Sequence, residues 1–523
     1  SAKGTAKGSG TSMAIGLLAY LLGFLLSGAA MLYALRRRGK LDAVRGTRRP
    51  RAADDHERGD DWPGTTRLLP WMLAAFIAML FLVPFDQVKL NAQLPIDLSF
   101  DRLVLPFIVA TWAVALIVGG KVAPRLRVTW IHVAIGAFVV CAFVSVVLGA
   151  HNLTNTLELD RAFKQLPLLV AYVSLFVVVA STVRRTEVRA FLSYTLVLAG
   201  VCALGMLFEY RFKQNPFYDL SNTLLPGFFS VDSFDAGAVD DIGRLKVSGP
   251  TAVPLEAVAT LAMALPIAIV GLIYAPRWRS RLLYALAVGL LMAATLATYR
   301  KSGLLAPISV VLTVAYFRRR ELLKLAPVGL VLIVFVHVLA PGAIGSTTDQ
   351  FDPSRLGVAT VSDRAADYDA VRPDIWTHPI FGRGWGTYDH VTYRTLDSEL
   401  LHRIIEMGVL GLLAFVAMGV AVVLCARATI AARDPRWSPP ALIGAAAAVS
   451  FIVVSVLFDV LSFPHPTYIF MLMAGLVAVV ISKPPPAAEP PAEHRGQRRH
   501  STSNSRRTRA PEALALAPSA RRR

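Results

Sequence analysis

The residues able to do chemistry fall in a few short stretches. Thr395–Gly408, "TLDSELLHRIIEMG", carries Asp397, Glu399, His402, Arg403 and Glu406, then runs into "VLGLLAFVAMGVAVVLCA", which is apolar enough to cross a bilayer. Upstream, "SDRAADYDAVRPDIWTHPIFGRGWGTYDH" offers Arg364, Arg372, Arg383, His378 and His390 around Trp385. "GRLKVSG" brings Arg244 and Lys246, and "YRKS" brings Arg300 and Lys301. Arginine suits phosphate oxygens because its fork is planar and stays charged. A carboxylate or imidazole can take the proton of an attacking hydroxyl. Each feature also has a structural reading. Glu399 with Arg403, and His402 with Glu406, stand at i,i+4 spacing and can pair on a helix. Asp397 can cap that helix, and one residue can serve as both base and cap.

Other chemistries are excluded. Gly382, Gly384 and Gly386 form a G-x-G-x-G, but no strand precedes it and no βαβ unit surrounds it, so a dinucleotide site is rejected. These glycines and Trp385 instead shape a re-entrant or partly helical loop over a site. Cys141, Cys202 and Cys425 all lie in apolar blocks and read as packing residues. With no C-x-x-C and no H-E-x-x-H, no metal site is expected.

The elements that must position these residues are membrane helices. The chain is 55% hydrophobic and 17% charged, with mean hydropathy +0.53, against about 25% charged in a soluble domain. Thirteen candidate spans emerge, at 13–35, 68–85, 103–120, 128–149, 166–182, 191–208, 252–274, 282–298, 303–317, 325–341, 404–426, 441–461 and 466–481. The expectation is an all-α polytopic membrane protein. Residues 1–12 are disordered in composition, 13–35 form an extra N-terminal helix, and 36–67 form a linker. A core at 68–482 carries outer loops at 209–251 and 342–403, the second lying between spans ten and eleven. Residues 483–523 form a disordered basic tail.

Basic clusters such as "KVAPRLR", "RRTEVR", "RWRSR" and "RRRELLK" follow the odd-numbered spans. They set those exits, the linker and the C-terminus in the cytoplasm. The net charge of +19 is mostly this signal plus a tail attracted to anionic lipid, with no nucleic-acid partner implied. "YRKS" breaks the rule by placing Arg300 and Lys301 outside. Snorkelling to lipid phosphates is one reading, and an anionic ligand at the outer face is the other. Glu256, His337, Glu406, Asp459 and His465 also gather toward the outer leaflet, with His132 the exception. A transporter would set such groups near the midplane, so the one-sided pattern favours a surface enzyme.

At this point the motifs resemble a family. "THPIFGRGWGTY", then a polar pair opening "LLHRIIEMGVLGLL", is similar to the signature of the O-antigen ligase and O-antigen polymerase superfamily. "ATYRKSGLLA" resembles its S-R-x-G segment, "GRLKVSGPTAVPLEAVATLAMALPI" its entry to a following helix, and "SDRAADYDAVRPDIWTHP" its S-x-R stretch. The matches run from Arg244 to Leu413 in the family's order. The family plan, GT-C-like with a large outer loop late in the chain, fits spans two to thirteen.

The resemblance implies glycosyl transfer on the outer face of a bacterial plasma membrane, without cofactor or metal. The donor is a glycan on a polyprenyl diphosphate, and the acceptor is a hydroxyl of a glycan, lipid or protein. Arg244, Arg300 and Arg364 would meet the charge developing on the diphosphate. Lys301, Arg372, Lys246, Arg383, His378, His390, His402 and Trp385 would bind substrate. Where the ligase branch has histidine, nine residues before Glu406, this chain has Asp397. The base role passes to it, with His402 and His390 as fallbacks. An inverting displacement follows, and the missing histidine favours polymerase over ligase. A lipid or polysaccharide transporter is the rival class.

Overall fold

The computed structural model describes residues 68–482, except 91–98, 119–123, 125–126, 150–155, 226, 228, 232–245, 299–303, 341–359, 389–392, 394–395 and 397. Of the expected spans, the first lies outside the described residues. The apolar blocks fold into helices α1 (Leu68–Leu82), α2 (Phe100–Val118), α3 (Trp130–Gly149), α4 (Thr156–Thr182) and α5 (Val188–Phe212). A short helix α6 (Pro216–Leu224) precedes α7 (Pro254–Tyr274), α8 (Trp278–Ala297), α9 (Leu305–Leu323) and α10 (Ala326–Leu339). The described residues close with α11 (Thr360–Thr377), α12 (Glu399–Ala431), α13 (Ser438–Leu457) and α14 (Pro464–Ile481). Proline opens several of these, where its missing N–H would be unpaired in any case.

The protein is an all-α polytopic membrane protein. Nine helices among the described residues are long and apolar enough to cross a membrane, or ten if the bent pair α9 and α10 is one span. The sequence expected two spans there. Their axes differ by 108°. Ala340, just past α10, packs with Ala297 at the end of α8, so the pair enters and leaves at one end of the bundle. Helix α1 has only 15 residues.

Helices α7, α13 and α14 pack on one another at the centre, ringed by α4, α5, α8, α9 and α12. The span window of α14 is 89% buried, whereas that of α2 is 22% buried and presents an apolar surface to lipid. Two three-residue strands that the sequence did not signal, β1 (Val88–Leu90) and β2 (Phe229–Val231), pair antiparallel with Lys89 opposite Ser230. They join the loop after α1 to the loop before α7.

The two ends of the bundle differ. At one, arginines from the expected cytoplasmic clusters cap helix C-termini. The buried Arg318 donates to Ile430 O and Ser438 Oγ, both at 2.7 Å, and to Tyr274 Oη at 2.7 Å. Arg185 donates to Val480 O at 3.0 Å and lies over the Trp437 ring. Such contacts satisfy the carbonyls a helix leaves unpaired. The opposite end holds buried carboxylates, histidines and an arginine, among them Asp101, Glu158, Glu399, His402, Arg403 and His465.

Candidate functional site

The site is organised by a break in α12. At Gly408 the backbone takes φ 65° and ψ −167°, a conformation essentially confined to glycine. The break frees carbonyls and amides that an unbroken helix would pair internally. The loop Pro379–Gly384 takes them up. Arg383 N donates to Ile405 O at 3.0 Å and Gly384 N to Glu406 O at 2.9 Å. In return Val409 N donates to Pro379 O at 2.9 Å and Leu410 N to Ile380 O at 3.4 Å. The "HPIFGRGWG" and "EMG" motifs are thus two halves of one backbone interlock. Gly149, at the end of α3, lies so close that a Cβ there would sit 2.0 Å from Arg383 O. The loop is therefore wedged between α3 and α12, and Trp385 N donates to Ser145 Oγ at 3.0 Å.

Behind the interlock lies a buried ionic cluster. Arg403 Nε is 2.5 Å from Glu399 Oε1, and Arg403 Nη1 is 3.1 Å from Glu406 Oε2. The guanidinium sits 4.1 Å above the Trp385 ring. All four residues are nearly inaccessible. Glu399 Oε2 also accepts from Leu461 N at 3.0 Å, and Glu406 Oε1 from Tyr388 N at 3.3 Å. The Glu399–Arg403 pair was expected from spacing. His402 does not pair with Glu406, because Arg403 occupies that carboxylate from i,i+3. His402 Nε2 instead lies 3.6 Å from Asp459 Oδ2. Burial pushes the Asp459 carboxyl up, but His402 and Arg403 outweigh it and hold the group below the usual carboxylate range.

A second cluster centres on Glu158, fully buried in the first turn of α4. Arg383 Nη2 lies 3.1 Å from Glu158 Oε1, and the Tyr393 hydroxyl donates to the same oxygen. Arg383 also stacks 4.3 Å over Tyr393. Burial pushes the Tyr393 hydroxyl up, and its bond to Glu158 adds to the rise. The sequence analysis does not single out Glu158, whose signal is an acid just ahead of an apolar span.

A third cluster joins α7 and α14. His465 Nδ1 is 2.8 Å from Glu256 Oε1, with Asp86 beside them. The ligand atoms of Asp86, Glu256 and His465 lie within 4.8 Å of one another, the one grouping among the described residues with metal-ligand spacing. Within it the Glu256–His465 pair is the closest contact. Glu209, inside α5, is a further residue the sequence reading passed over. It accepts from Gly249 N at 2.8 Å and Ser248 N at 3.3 Å, and so anchors the segment that begins with Lys246.

Of the expected site residues, Arg383, Trp385 and His402 come together around α12. Arg372 is exposed on α11, and His378 closes that helix with its carbonyl accepting from Gly382 N at 3.0 Å. Lys246 is half-buried. Arg244, Arg300, Lys301, His390 and Asp397 lie outside the described residues. Arg364 lies within the α11 range.

A bundle of this kind, with its ionisable groups paired into clusters at one end around a broken helix, is a polytopic membrane protein with a built polar surface. The family model for O-antigen ligase matches residues 286–416, a quarter of the chain. That match supports the O-antigen ligase and polymerase superfamily, a membrane glycan-processing enzyme family. The match includes every expected site residue except Arg244 and Lys246. No curated protein matches the chain.

Proposed function

We propose that the chain is a glycosyltransferase of a bacterial plasma membrane. It moves a glycan from a polyprenyl-diphosphate carrier to an acceptor hydroxyl at the outer face, by an inverting, metal-independent displacement. The observation that carries this reading is a coincidence. The O-antigen ligase match covers the stretch of chain locked around the α12 break. A backbone interlock of this kind suits catalysis, because it fixes the segments that bear candidate residues before substrate arrives.

In this reading Arg300 and Arg364, with Arg244 from the preceding loop, stabilise the departing diphosphate. Asp397 takes the acceptor proton. Arg403 has a different part: held by two carboxylates and a tryptophan, it sets the geometry of the start of α12. The loop end of the bundle is the outer face and the C-terminus is cytoplasmic, as the basic clusters imply.

Polysaccharide polymerisation is the favoured form, because Asp397 stands where the ligase branch has histidine. The family description itself, O-antigen ligase, supports single transfer to a lipid or protein as the second form. The test is the purified protein with lipid-linked oligosaccharide. A ladder of products indicates polymerase, and one added block indicates ligase. Asp397→Asn and Arg300→Ala should each lower turnover about 10²-fold or more. Full activity in both variants would sink the mechanism.

A further inference from the structure

A polar cavity of about 220 Å³ opens at the loop end, lined by Asp86, Gln87, Ser99, Asp101, Arg102 and Ser462 among others. Its wall is built. Asp101 is buried and fixed by Ser99 Oγ at 2.6 Å and Tyr468 Oη at 2.8 Å. Asp86 accepts from Gln87 Nε2 through Oδ2 at 3.2 Å, while its Oδ1 is shielded from solvent and has no hydrogen-bond partner.

The lining selects the kind of ligand. Two carboxylates, Asp86 and Asp101, face two cations, Lys89 and Arg102. A diphosphate would meet repulsion from the carboxylates, and a lipid chain would leave the charged lining groups without partners. A neutral polyol meets donors and acceptors together. Phe463 and Leu168 add an apolar side for the C–H face of a sugar ring. The volume lies below the ~300–1,000 Å³ of pockets for drug-sized ligands, so it suits one ring rather than a chain.

The cavity also adjoins the start of α12. Ser462 donates to Asp459, which pairs with His402. Leu461 N donates to Glu399, two residues after Asp397. Its lining residues all lie outside the matched segment 286–416. We propose that this cavity holds one neutral sugar ring of the acceptor glycan and sets acceptor specificity, with the Asp86 carboxylate in its lining accepting from a ring hydroxyl. That assignment to the acceptor rests on the transfer reading.

The test uses the full chain with Gln87→Cys as a reporter at the cavity, and Lys89→Cys as a second should the first fail to fold. Labelling by a sulfonated thiol reagent is timed with and without added probe, against the background of the native cysteines. One probe is the oligosaccharide released by mild acid from the cell's own lipid-linked glycan; the other is inorganic pyrophosphate. Slowing by the oligosaccharide and not by pyrophosphate is expected. Slowing by pyrophosphate, or by neither, overturns the proposal. In turnover, Asp86→Asn should raise acceptor KM about tenfold with donor KM unchanged, and a rise in donor KM instead overturns it. Protection by the oligosaccharide in a protein that transfers nothing would uphold the sugar subsite and sink the transfer reading, so the two failures are separable.

Discussion

Gly382 and Glu406 meet backbone to backbone: a Cβ on Gly382 would lie 2.3 Å from the Glu406 carbonyl carbon. Gly382 has φ +70° and Gly408 has φ +65°, so both partners of the interlock need glycine for conformation as well as for space. Gly408→Ala should therefore cost about 1–3 kcal/mol from backbone strain alone, and more from the clash with Ile380. The expected outcome is a lower unfolding midpoint in detergent together with lost activity. Gly136→Ala, with nothing within 4 Å of its new Cβ, is the control and should leave both unchanged.

Arg403 is buried and held by Glu399 and Glu406, so its loss should register as a folding defect. Arg403→Leu leaves two buried carboxylates facing each other, at a cost of about 3–5 kcal/mol. The expected result is poor yield and a lower midpoint. Adding Glu399→Gln and Glu406→Gln should recover part of the stability. Arg300→Ala should behave oppositely, losing turnover at an unchanged midpoint. An Arg403→Leu protein of normal stability and no activity would move Arg403 into the chemistry.

The contrast between Arg403 and the interlock shows what the sequence made legible. The apolar blocks read directly as helices, because about 20 uninterrupted apolar residues have few alternatives in a membrane chain. The Glu399–Arg403 pair followed from helical spacing. His402 went to Asp459 because another residue on the same helix competed for Glu406, and spacing does not rank competitors. The pairing of 379–384 with 405–410 was hidden, since it depends on how the loop returns through space. Strands β1 and β2, three residues each, are too short to leave a period. Glu158 and Glu209 looked like loop acids because their roles depend on distant partners, Arg383 and the Ser248–Gly249 backbone.

Arg383 and Arg372 separate two uses of arginine near the site. Arg383 neutralises the buried Glu158, while Arg372 is exposed on α11. Arg383→Ala should lower the unfolding midpoint, and Glu158→Gln in the same chain should restore part of it. Arg372→Ala should leave the midpoint unchanged. If Arg372 supports the diphosphate, its loss raises donor KM severalfold without altering acceptor KM.

Asp86 gives stability a pH dependence of defined sign. Burial and the Glu256 carboxylate push its carboxyl up to about 7, against opposing pulls from His465 and Gln87. A carboxyl raised above its unfolded value of 3.8 binds its proton more tightly in the folded chain. Its contribution is full below that value and declines as pH rises toward 7. Asp459, held low, acts in the other sense: its contribution is present above 3.8 and lost as pH falls through its folded value. Between about pH 4 and 7 the wild-type midpoint should therefore fall with rising pH through Asp86. Asp86→Asn should flatten that slope.

Metal removal tests the chemistry from another side. In the proposed displacement arginines meet the diphosphate charge, so no divalent cation is needed to stabilise the leaving group. Turnover should survive exhaustive treatment with a chelator and should not rise on adding magnesium or manganese. Should activity vanish with chelation and return with one metal, the place to look is Asp86, Glu256 and His465, whose ligand atoms already lie within 4.8 Å of one another. Glu256→Gln would then abolish the metal response, since it removes a charged oxygen ligand suited to a hard cation. In a metal-independent enzyme the same substitution would weaken only the contact between α7 and α14. It would lower the unfolding midpoint by the same amount with chelator and without.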